Sequence, residues 1–290
     1  METSVATSTT PTINALSDKL FTEIRDYIYD KSGMFFADHK KYLLENRISK
    51  RTVELNLKDC EEYLYLIKYG TNKLEELSNL FDAITTNETY FFRNEPQLNA
   101  FRSIIIPYLN KKLVNNFSGR AKIWSAGCSS GEEPYTLSII FKEEAIRGIK
   151  VPYEILATDI SREILDKAKK AVYGKYAIRN LTSIQLINYF TPEGHDHRVK
   201  DEIRRPIIHK IVNLSEAHAF PLNAKFDVIF CRNVLIYFDV EAKKKVIRKF
   251  YDLLNPGGYL FIGHSESLHG ITDAFKLVHF EKALAYRKEE

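Results

Sequence analysis

The sequence has few cysteines, no long apolar run and little net charge, and each shortage excludes a class of protein. Its three cysteines are widely spaced and form no C-x-x-C pattern, which argues against a disulfide framework or a zinc site. No apolar run approaches the roughly 20 residues that a membrane-spanning helix needs. A net charge of +4 is too small to indicate a nucleic-acid-binding protein.

The first 14 residues are rich in Ser and Thr and lack the basic and apolar regions of a signal peptide. We therefore expect residues 1–14 to form a disordered tail. Together with the scarce cysteines, this composition favours a cytoplasmic protein. The 290 residues suffice for one large or two modest domains.

Helical spacing of apolar residues over 15–84 predicts an N-terminal bundle of four helices. The second of them is expected from about Asp38 to Glu54. From Lys122 onward strands and helices alternate, which predicts a parallel sheet with crossover helices. The last segment, 276–287, is typical of a hairpin at the sheet edge.

One stretch, 190–212, departs from this alternation and predicts a small inserted β-hairpin, with a simple surface loop as the alternative. It contains His195 and His197. Two histidines without a third ligand nearby are typical of solvated loop residues, so we expect no metal.

The most informative segment is a glycine loop between a predicted strand and a predicted helix. It reads S-A-G-C-S-S-G-E-E-P over 125–134, and Gly148 closes the helix. This is the layout of a nucleotide-binding first turn, in which a dinucleotide leaves the helix N-terminus free for its pyrophosphate. Here Glu132 and Glu133 occupy that N-terminus. They would repel a phosphate but suit the sulfonium and ammonium groups of S-adenosylmethionine (SAM), although acids there also serve as simple helix caps.

Asp159 supports a nucleoside ligand. It ends a second predicted strand, 154–159, and Ser161 follows as a helix cap. In Rossmann-like folds an acid at the tip of this strand binds the ribose hydroxyls. The alternative is an ordinary turn residue.

Two other segments are expected near the same crevice. An apolar strand over 226–231 is followed by Arg232 and Asn233, and ligands of open α/β sheets lie outside the carboxyl ends of strands. The segment 85–93, which precedes the sheet domain, is dense in polar and aromatic residues and differs from a passive linker. Capping of the next helix is the alternative for both.

The second helix carries four basic residues on one side: Lys40, Arg47, Lys50 and Arg51. Clustered charge of one sign accelerates encounter with an acidic partner, so this face is a candidate docking surface. An ordinary solvated helix face is the alternative.

Five motifs in order, T-N-E-T-Y-F-F-R, S-A-G-C-S-S-G-E-E-P-Y, A-T-D-I, F-C-R-N-V-L-I-Y-F and G-G-Y-L-F-I-G-H-S-E, strongly resemble the chemotaxis receptor glutamate methyltransferases, the CheR family. The resemblance implies an α/β protein: a Rossmann-like SAM-dependent methyltransferase domain over 85–290 with the small inserted hairpin, preceded by an all-α domain over 15–84. It implies a cytoplasmic protein-glutamate O-methyltransferase that converts glutamates of chemoreceptor helices into methyl esters, producing S-adenosylhomocysteine (SAH), in chemotactic adaptation and signal transduction.

The resemblance also assigns roles to individual residues. Arg93 and Tyr237 would lie nearest the methyl transfer, and the basic second helix would dock the receptor. The cofactor-binding residues it implies, together with the glycine of the loop, are Asn87, Thr89, Arg93, Gly127, Glu133, Asp159, Asn213, Leu214, Arg232 and Asn233.

One departure concerns partners. Segment 190–213 is shorter than the hairpin that binds a receptor C-terminal peptide in some members of the family, which argues against peptide tethering. Two other functions stay open at the level of sequence: a SAM- or SAH-binding signalling module without turnover, and a methyltransferase acting on another protein carboxylate.

Overall fold

A computed structural model describes residues 16–113, 119–216 and 225–289. The chain divides into two compact units. The first ends at Ile84, and the second begins at Thr85 and also takes the short segment Ser32–Met34. The tail expected over 1–14 lies outside the described residues.

The first unit is helical, as the apolar spacing predicted. Its buried side chains include Ile28, Leu44, Ile48 and Tyr63. The second helix begins later than predicted, because 38–40 forms a 3-10 turn and leaves Lys40 just before the α-helix. The helices are α1 (Asp18–Ser32), α2 (Lys41–Glu54), α3 (Cys60–Tyr69) and α4 (Lys73–Ile84).

The second unit alternates helices and strands. Its helices are α5 (Glu95–Ala100), α6 (Ile106–Leu113), α7 (Glu132–Ile146), α8 (Arg162–Lys170), α9 (Ser183–Tyr189), α10 (Asp201–Arg204) and α11 (Val240–Leu253). A π-helical turn, Phe101–Ile105, joins α5 to α6, and a 3-10 turn spans Leu235–Tyr237. Its strands are β1 (Ala121–Ala126), β2 (Tyr153–Asp159), β3 (Val172–Tyr173), β4 (Phe190–Glu193), β5 (Asp196–Val199), β6 (Ile207–Ile211), β7 (Phe226–Cys231), β8 (Leu254–Ile262), β9 (Lys276–Phe280) and β10 (Ala283–Arg287).

Seven of these strands form one sheet in the order β6-β2-β1-β7-β8-β10-β9. The first five are parallel, while β10 and β9 form the antiparallel hairpin predicted at the edge. Neighbouring residues of a strand enter different apolar clusters: Ile123 packs with Phe101, and Trp124 packs with Phe250. Both faces of the sheet are therefore covered, which explains why the central strands are continuous apolar runs.

The predicted C-terminal boundary of the inserted subdomain, 190–212, is wrong. A hairpin of β4 and β5 is present, and β3 joins it in a separate three-stranded sheet. Residues 207–211, however, form β6 and pair with β2 at the edge of the main sheet. Apolar alternation is the same for a hairpin strand and a sheet-edge strand, so the sequence pattern did not separate them.

Candidate active site

The strand order reverses at β1, which has β2 on one side and β7 on the other. In open α/β sheets the ligand crevice forms at such a switch point, outside the carboxyl ends of the strands. A cleft lies there, and all eleven residues that the sequence assigned to cofactor binding or methyl transfer line it: Asn87, Thr89, Arg93, Gly127, Glu133, Asp159, Asn213, Leu214, Arg232, Asn233 and Tyr237. Their individual roles stay predictions.

The glycine loop begins at the end of β1. The backbone N–H groups of Gly127 and Cys128 both donate to the carbonyl of Thr158, at 2.8 and 2.9 Å. Gly127 has φ +76°, and a Cβ placed on it would lie 2.4 Å from Cγ2 of Val234. Only glycine fits this close approach between the loop after β1 and the loop after β7.

The two acids at the start of α7 have different surroundings. Glu133 lines the cleft, and its Oε1 accepts a 2.6 Å hydrogen bond from Ser125 Oγ. Glu132 is buried outside the cleft lining, where its Oε2 accepts from Ser130 Oγ at 2.7 Å. Burial raises the pKa of Glu132 to about 7. The expectation that both carboxylates face the ligand is therefore wrong for Glu132.

Asp159 lies at the carboxyl end of β2, as predicted. Its Oδ2 accepts from the backbone N–H of Ser129 at 2.8 Å, and its Oδ1 accepts from that of Ser161 at 3.0 Å. Ser161 also caps α8, because its side chain accepts from the N–H of Ile164. These bonds fix the carboxylate in the cleft wall beside the glycine loop, in which Ser129 has the left-handed φ of +49°.

Arg232 connects two sides of the cleft. Its Nη2 donates to the carbonyl of Arg93 at 2.5 Å, and its Nε lies 3.4 Å from Oε2 of Glu133. The guanidinium is buried, which lowers the pKa of Arg232. The next residue, Asn233, has φ +61°.

The segment 85–93 is a packed wall of the cleft. The N–H of Phe92 donates to Thr136 Oγ1 at 3.1 Å, and that hydroxyl donates to the carbonyl of Glu132 at 2.7 Å. Phe92 has φ +56°. Phe91 is fully buried against the ring of Tyr173. These contacts hold the segment against α7 and present Arg93 to the cleft.

Two polar side chains, those of Arg93 and Tyr237, donate hydrogen bonds to carbonyl groups of this segment. Arg93 Nη1 donates to the carbonyl of Glu88 at 2.8 Å. The Tyr237 hydroxyl donates to the carbonyl of Thr86 at 3.2 Å. Burial raises the pKa of Tyr237, so its phenol stays neutral at physiological pH.

Asn213 and Leu214 follow β6. The side-chain oxygen of Asn213 accepts from the backbone N–H of Ser215 at 3.0 Å and from its hydroxyl at 2.8 Å. This local turn brings Leu214 into the cleft wall.

Met34 and Phe238 also line the cleft, and they form an isolated antiparallel bridge. Phe238 ends one of the motifs quoted above, whereas Met34 was not predicted, because it is remote from every motif and an apolar side chain carries no chemical signal.

The docking residues fall into two groups. Lys40, Arg47 and Lys50 are exposed. Arg51 is not part of an open basic face, because its Nε and Nη2 donate to the buried carboxylate of Glu76 at 2.9 and 2.6 Å. Arg51 is therefore less available to a partner than the other three basic residues, and its part in docking stays a prediction. A buried carboxylate needs a partner, and the sequence spacing gave no sign that Glu76 was buried.

The side chains that line the cleft suit SAM. The start of α7 places Glu133 in the cleft, which favours a cationic group over a phosphate, and apolar Met34, Leu214 and Phe238 offer contacts to an aromatic base. Over the described residues, no group of three or more His, Cys, Asp or Glu could hold a metal ion. In the same part of the chain, every helix is too short or too polar to cross a bilayer.

Comparison with known proteins agrees with this geometry. Residues 87–284 match the SAM-binding domain of CheR methyltransferases, and residues 19–85 match the all-alpha domain of the same enzymes. The chemotaxis protein methyltransferase of Borreliella burgdorferi is 37% identical over 89% of this chain and 91% of its own length. Chemotaxis protein methyltransferase 2 of Vibrio cholerae is 35% identical over 94% of each chain.

Among solved structures, an O-methyltransferase family protein from Burkholderia thailandensis covers 77% of this chain and 61% of its own, with 12% identity and a TM-score of 0.41. That likeness is too distant to add to the assignment. The two family matches and the curated relatives decide it: the chain belongs to the CheR methyltransferase family and is a SAM-dependent methyltransferase of chemotaxis.

Proposed function

We propose that this protein works in the cytoplasm and transfers the methyl group of SAM to glutamate side chains on the cytoplasmic helices of chemoreceptors. The products are glutamyl methyl esters and SAH. The observation that supports this most is that Arg93 and Tyr237 line the same cleft as Glu133 and Asp159. Two groups suited to a carboxylate acceptor thus lie beside groups suited to the cofactor.

Methyl transfer to a carboxylate requires the protein mainly to position the two reactants. A glutamate carboxylate is already ionised at neutral pH and needs no general base. When bound, SAM supplies an electrophilic methyl group, and the new O–C bond forms as the C–S bond breaks. The protein must hold the acceptor oxygen in line with that bond and keep water away, which is catalysis by proximity and orientation.

Arg93 is suited to orient the acceptor. Within the described residues its side chain donates one hydrogen bond, to the Glu88 carbonyl, whereas a guanidinium has five N–H donors. The remaining donors match the two oxygens of a carboxylate. A very strong ion pair would stabilise the ground state and slow the reaction, so we assign Arg93 and Tyr237 orientation rather than tight binding.

Lys40, Arg47 and Lys50 would guide an acidic receptor surface to the protein, because clustered positive charge raises encounter rates. Each methylation removes one negative charge from the receptor helix. That change is an electrostatic switch of the kind that adaptation requires. We expect no tethering of the hairpin to a receptor C-terminal peptide.

The test is transfer of radiolabelled methyl from SAM to a purified receptor cytoplasmic fragment, followed by mild base. Label that leaves as methanol identifies a carboxylate ester, and replacement of the receptor glutamates by Gln should abolish it. Base-stable label would indicate another type of acceptor. Base-labile label that survives the Gln replacements would indicate another carboxylate. SAM binding without any transfer would favour the signalling-module alternative.

A further inference from the structure

The carboxylate of Glu266 accepts three backbone hydrogen bonds from two different segments. Its Oε2 accepts from the N–H of Gly263 at 2.5 Å and from that of Asn233 at 3.0 Å, while its Oε1 accepts from the N–H of Ile236 at 3.1 Å. Gly263 directly follows β8, and the other two donors belong to the segment that follows β7. Glu266 itself does not line the cleft.

These bonds hold the segment 233–237 at both ends. Asn233 adopts φ +61°, a left-handed conformation that asparagine accepts more readily than other non-glycine residues, and the bond to Glu266 helps to hold it there. Ile236 lies in the 3-10 turn Leu235–Tyr237, whose unpaired N–H groups a carboxylate satisfies. The same segment carries Asn233 and Tyr237 into the cleft.

The space around the carboxylate is closed. A Cβ placed on Gly263 would lie 2.7 Å from Oε2 of Glu266 and 2.9 Å from the backbone nitrogen of Asn233. Position 263 therefore accepts no side chain while Glu266 stays in place. On the far side, Val234 contacts the glycine loop at Gly127, so a shift of segment 233–237 would also alter that loop.

We propose that Glu266 is a positioning residue for SAM binding and methyl transfer, acting through the backbone of segment 233–237. It sets where the Asn233 side chain and the Tyr237 hydroxyl lie. This inference rests on the orienting role proposed above for Tyr237 and on the cofactor contact that the family resemblance implies for Asn233. It adds a carboxylate outside the cleft that contacts neither cofactor nor acceptor.

Three variants and one control test it. E266A removes all three acceptors. E266Q keeps one carbonyl oxygen for Asn233 and Gly263 but turns an amide N–H₂ toward the N–H of Ile236. G263A leaves the carboxylate intact, but its added methyl group displaces both that carboxylate and the backbone of Asn233, so it tests the geometry of the contact as a whole. The control is E281Q, because Glu281 is exposed and lies in the turn between β9 and β10.

The measurements are the Kd of SAM by calorimetry without any acceptor, kcat and receptor KM by methyl transfer, and the thermal midpoint of unfolding. We expect E266A and G263A to raise the Kd of SAM about tenfold or more and to lower kcat. E266Q should recover part of both losses. Receptor KM should stay near that of the unaltered protein in every variant, and E281Q should match it throughout.

A purely structural role predicts a different pattern. The inference is overturned if folded E266A and G263A bind SAM and turn over within twofold of the unaltered protein, or if their losses equal the unfolded fraction measured at the same temperature. Should G263A not fold, E266Q against E281Q decides the question. SAM affinity is measured without receptor, so absence of glutamate methylation would refute the proposed acceptor and leave this test intact.

Discussion

The carbonyl of Arg93 accepts a 2.5 Å hydrogen bond from Nη2 of Arg232, although the two residues are 139 positions apart in the chain. The donor belongs to the polar end of β7 and the acceptor to the segment before α5. This bond fixes the backbone of Arg93, the residue to which we assign orientation of the acceptor. Phe92, next to it, is held by Thr136.

Asp159 is the first residue to test for cofactor binding. D159N keeps the shape of the side chain but replaces one acceptor oxygen by a donor that would face the N–H of Ser129 or Ser161. We expect SAM affinity to fall by about 1–3 kcal/mol, or about 5- to 150-fold, by calorimetry. D166N, at an exposed position paired with Lys169, is the control. Unchanged affinity in D159N would remove Asp159 from the cofactor site.

Tyr237 should affect transfer more than binding. Y237F removes the hydroxyl that donates to the Thr86 carbonyl and that we assign to acceptor orientation. A hydrogen bond to a charged group contributes about 1.5–3 kcal/mol, so kcat should fall about 10-fold or more. The Kd of SAM should stay within about twofold. Full activity would refute the role, and Y69F, at an exposed tyrosine of α3, controls for loss of a phenol elsewhere.

The exposed basic residues should govern encounter with the receptor. The triple variant K40E/R47E/K50E reverses three charges of residues that are not among those lining the cleft. We expect the receptor KM of this variant to exceed that of the unaltered protein at low ionic strength. The difference between the two KM values should shrink at about 0.3 M salt, because salt screens exposed charges. The Kd of SAM should not change. Equal KM at low salt would make these residues an ordinary solvated face.

Arg51 should instead affect stability. R51A leaves the buried carboxylate of Glu76 without the guanidinium that binds it in two places. Removal of one partner of such a pair costs about 3 kcal/mol. Chemical denaturation should therefore show a marked loss in the free energy of unfolding for R51A. R47A, at an exposed position of the same helix, should stay within about 0.5 kcal/mol.

Glu132 makes a pH-dependent contribution to stability. Burial raises the pKa of this carboxyl from 4.5 to about 7, so the folded state holds a proton that the unfolded state has released. Its contribution is fully present below pH 4.5 and falls as the pH rises to about 7, by roughly 3 kcal/mol at most. E132Q should remove this dependence. We expect the stability of E132Q relative to the unaltered protein to rise between pH 5 and pH 8 in urea denaturation; a constant difference would contradict the assignment.

Local patterns predicted most of the elements and the cleft positions of Glu133, Asp159, Arg232 and Asn233, whereas those of Asn87, Thr89 and Asn213 came from the family resemblance. Asp159 and Ser161 follow from a strand that ends in an acid and a helix that needs a cap, and Gly127 follows from the glycine loop of a nucleotide-binding first turn. The features that sequence did not predict are pairs of distant residues. The Arg51–Glu76 pair and the Met34–Phe238 bridge depend on which surfaces meet, and periodicity within one element carries no such information.

The division between Glu132 and Glu133 shows the same limit at close range. Adjacent residues on a helix differ by about 100° in direction, so the two neighbouring acids of the first turn have different surroundings. The motif predicted that the helix begins with acids. Which of them faces the cleft depends on how α7 lies on the sheet.

Ser129 and Asn233, which line the cleft, have a left-handed backbone, and so do Phe92 and Asn94, which flank Arg93. Such a backbone costs free energy in residues other than glycine, and relieving strain at a functional site commonly lowers activity. In this enzyme Phe92 and Asn94 adjoin the proposed orienting arginine, Ser129 donates to Asp159, and Asn233 is itself a predicted cofactor contact. Selection for thermostability should therefore accumulate its gains elsewhere, on the exposed faces of α3, α8 and α11, and spare these four positions.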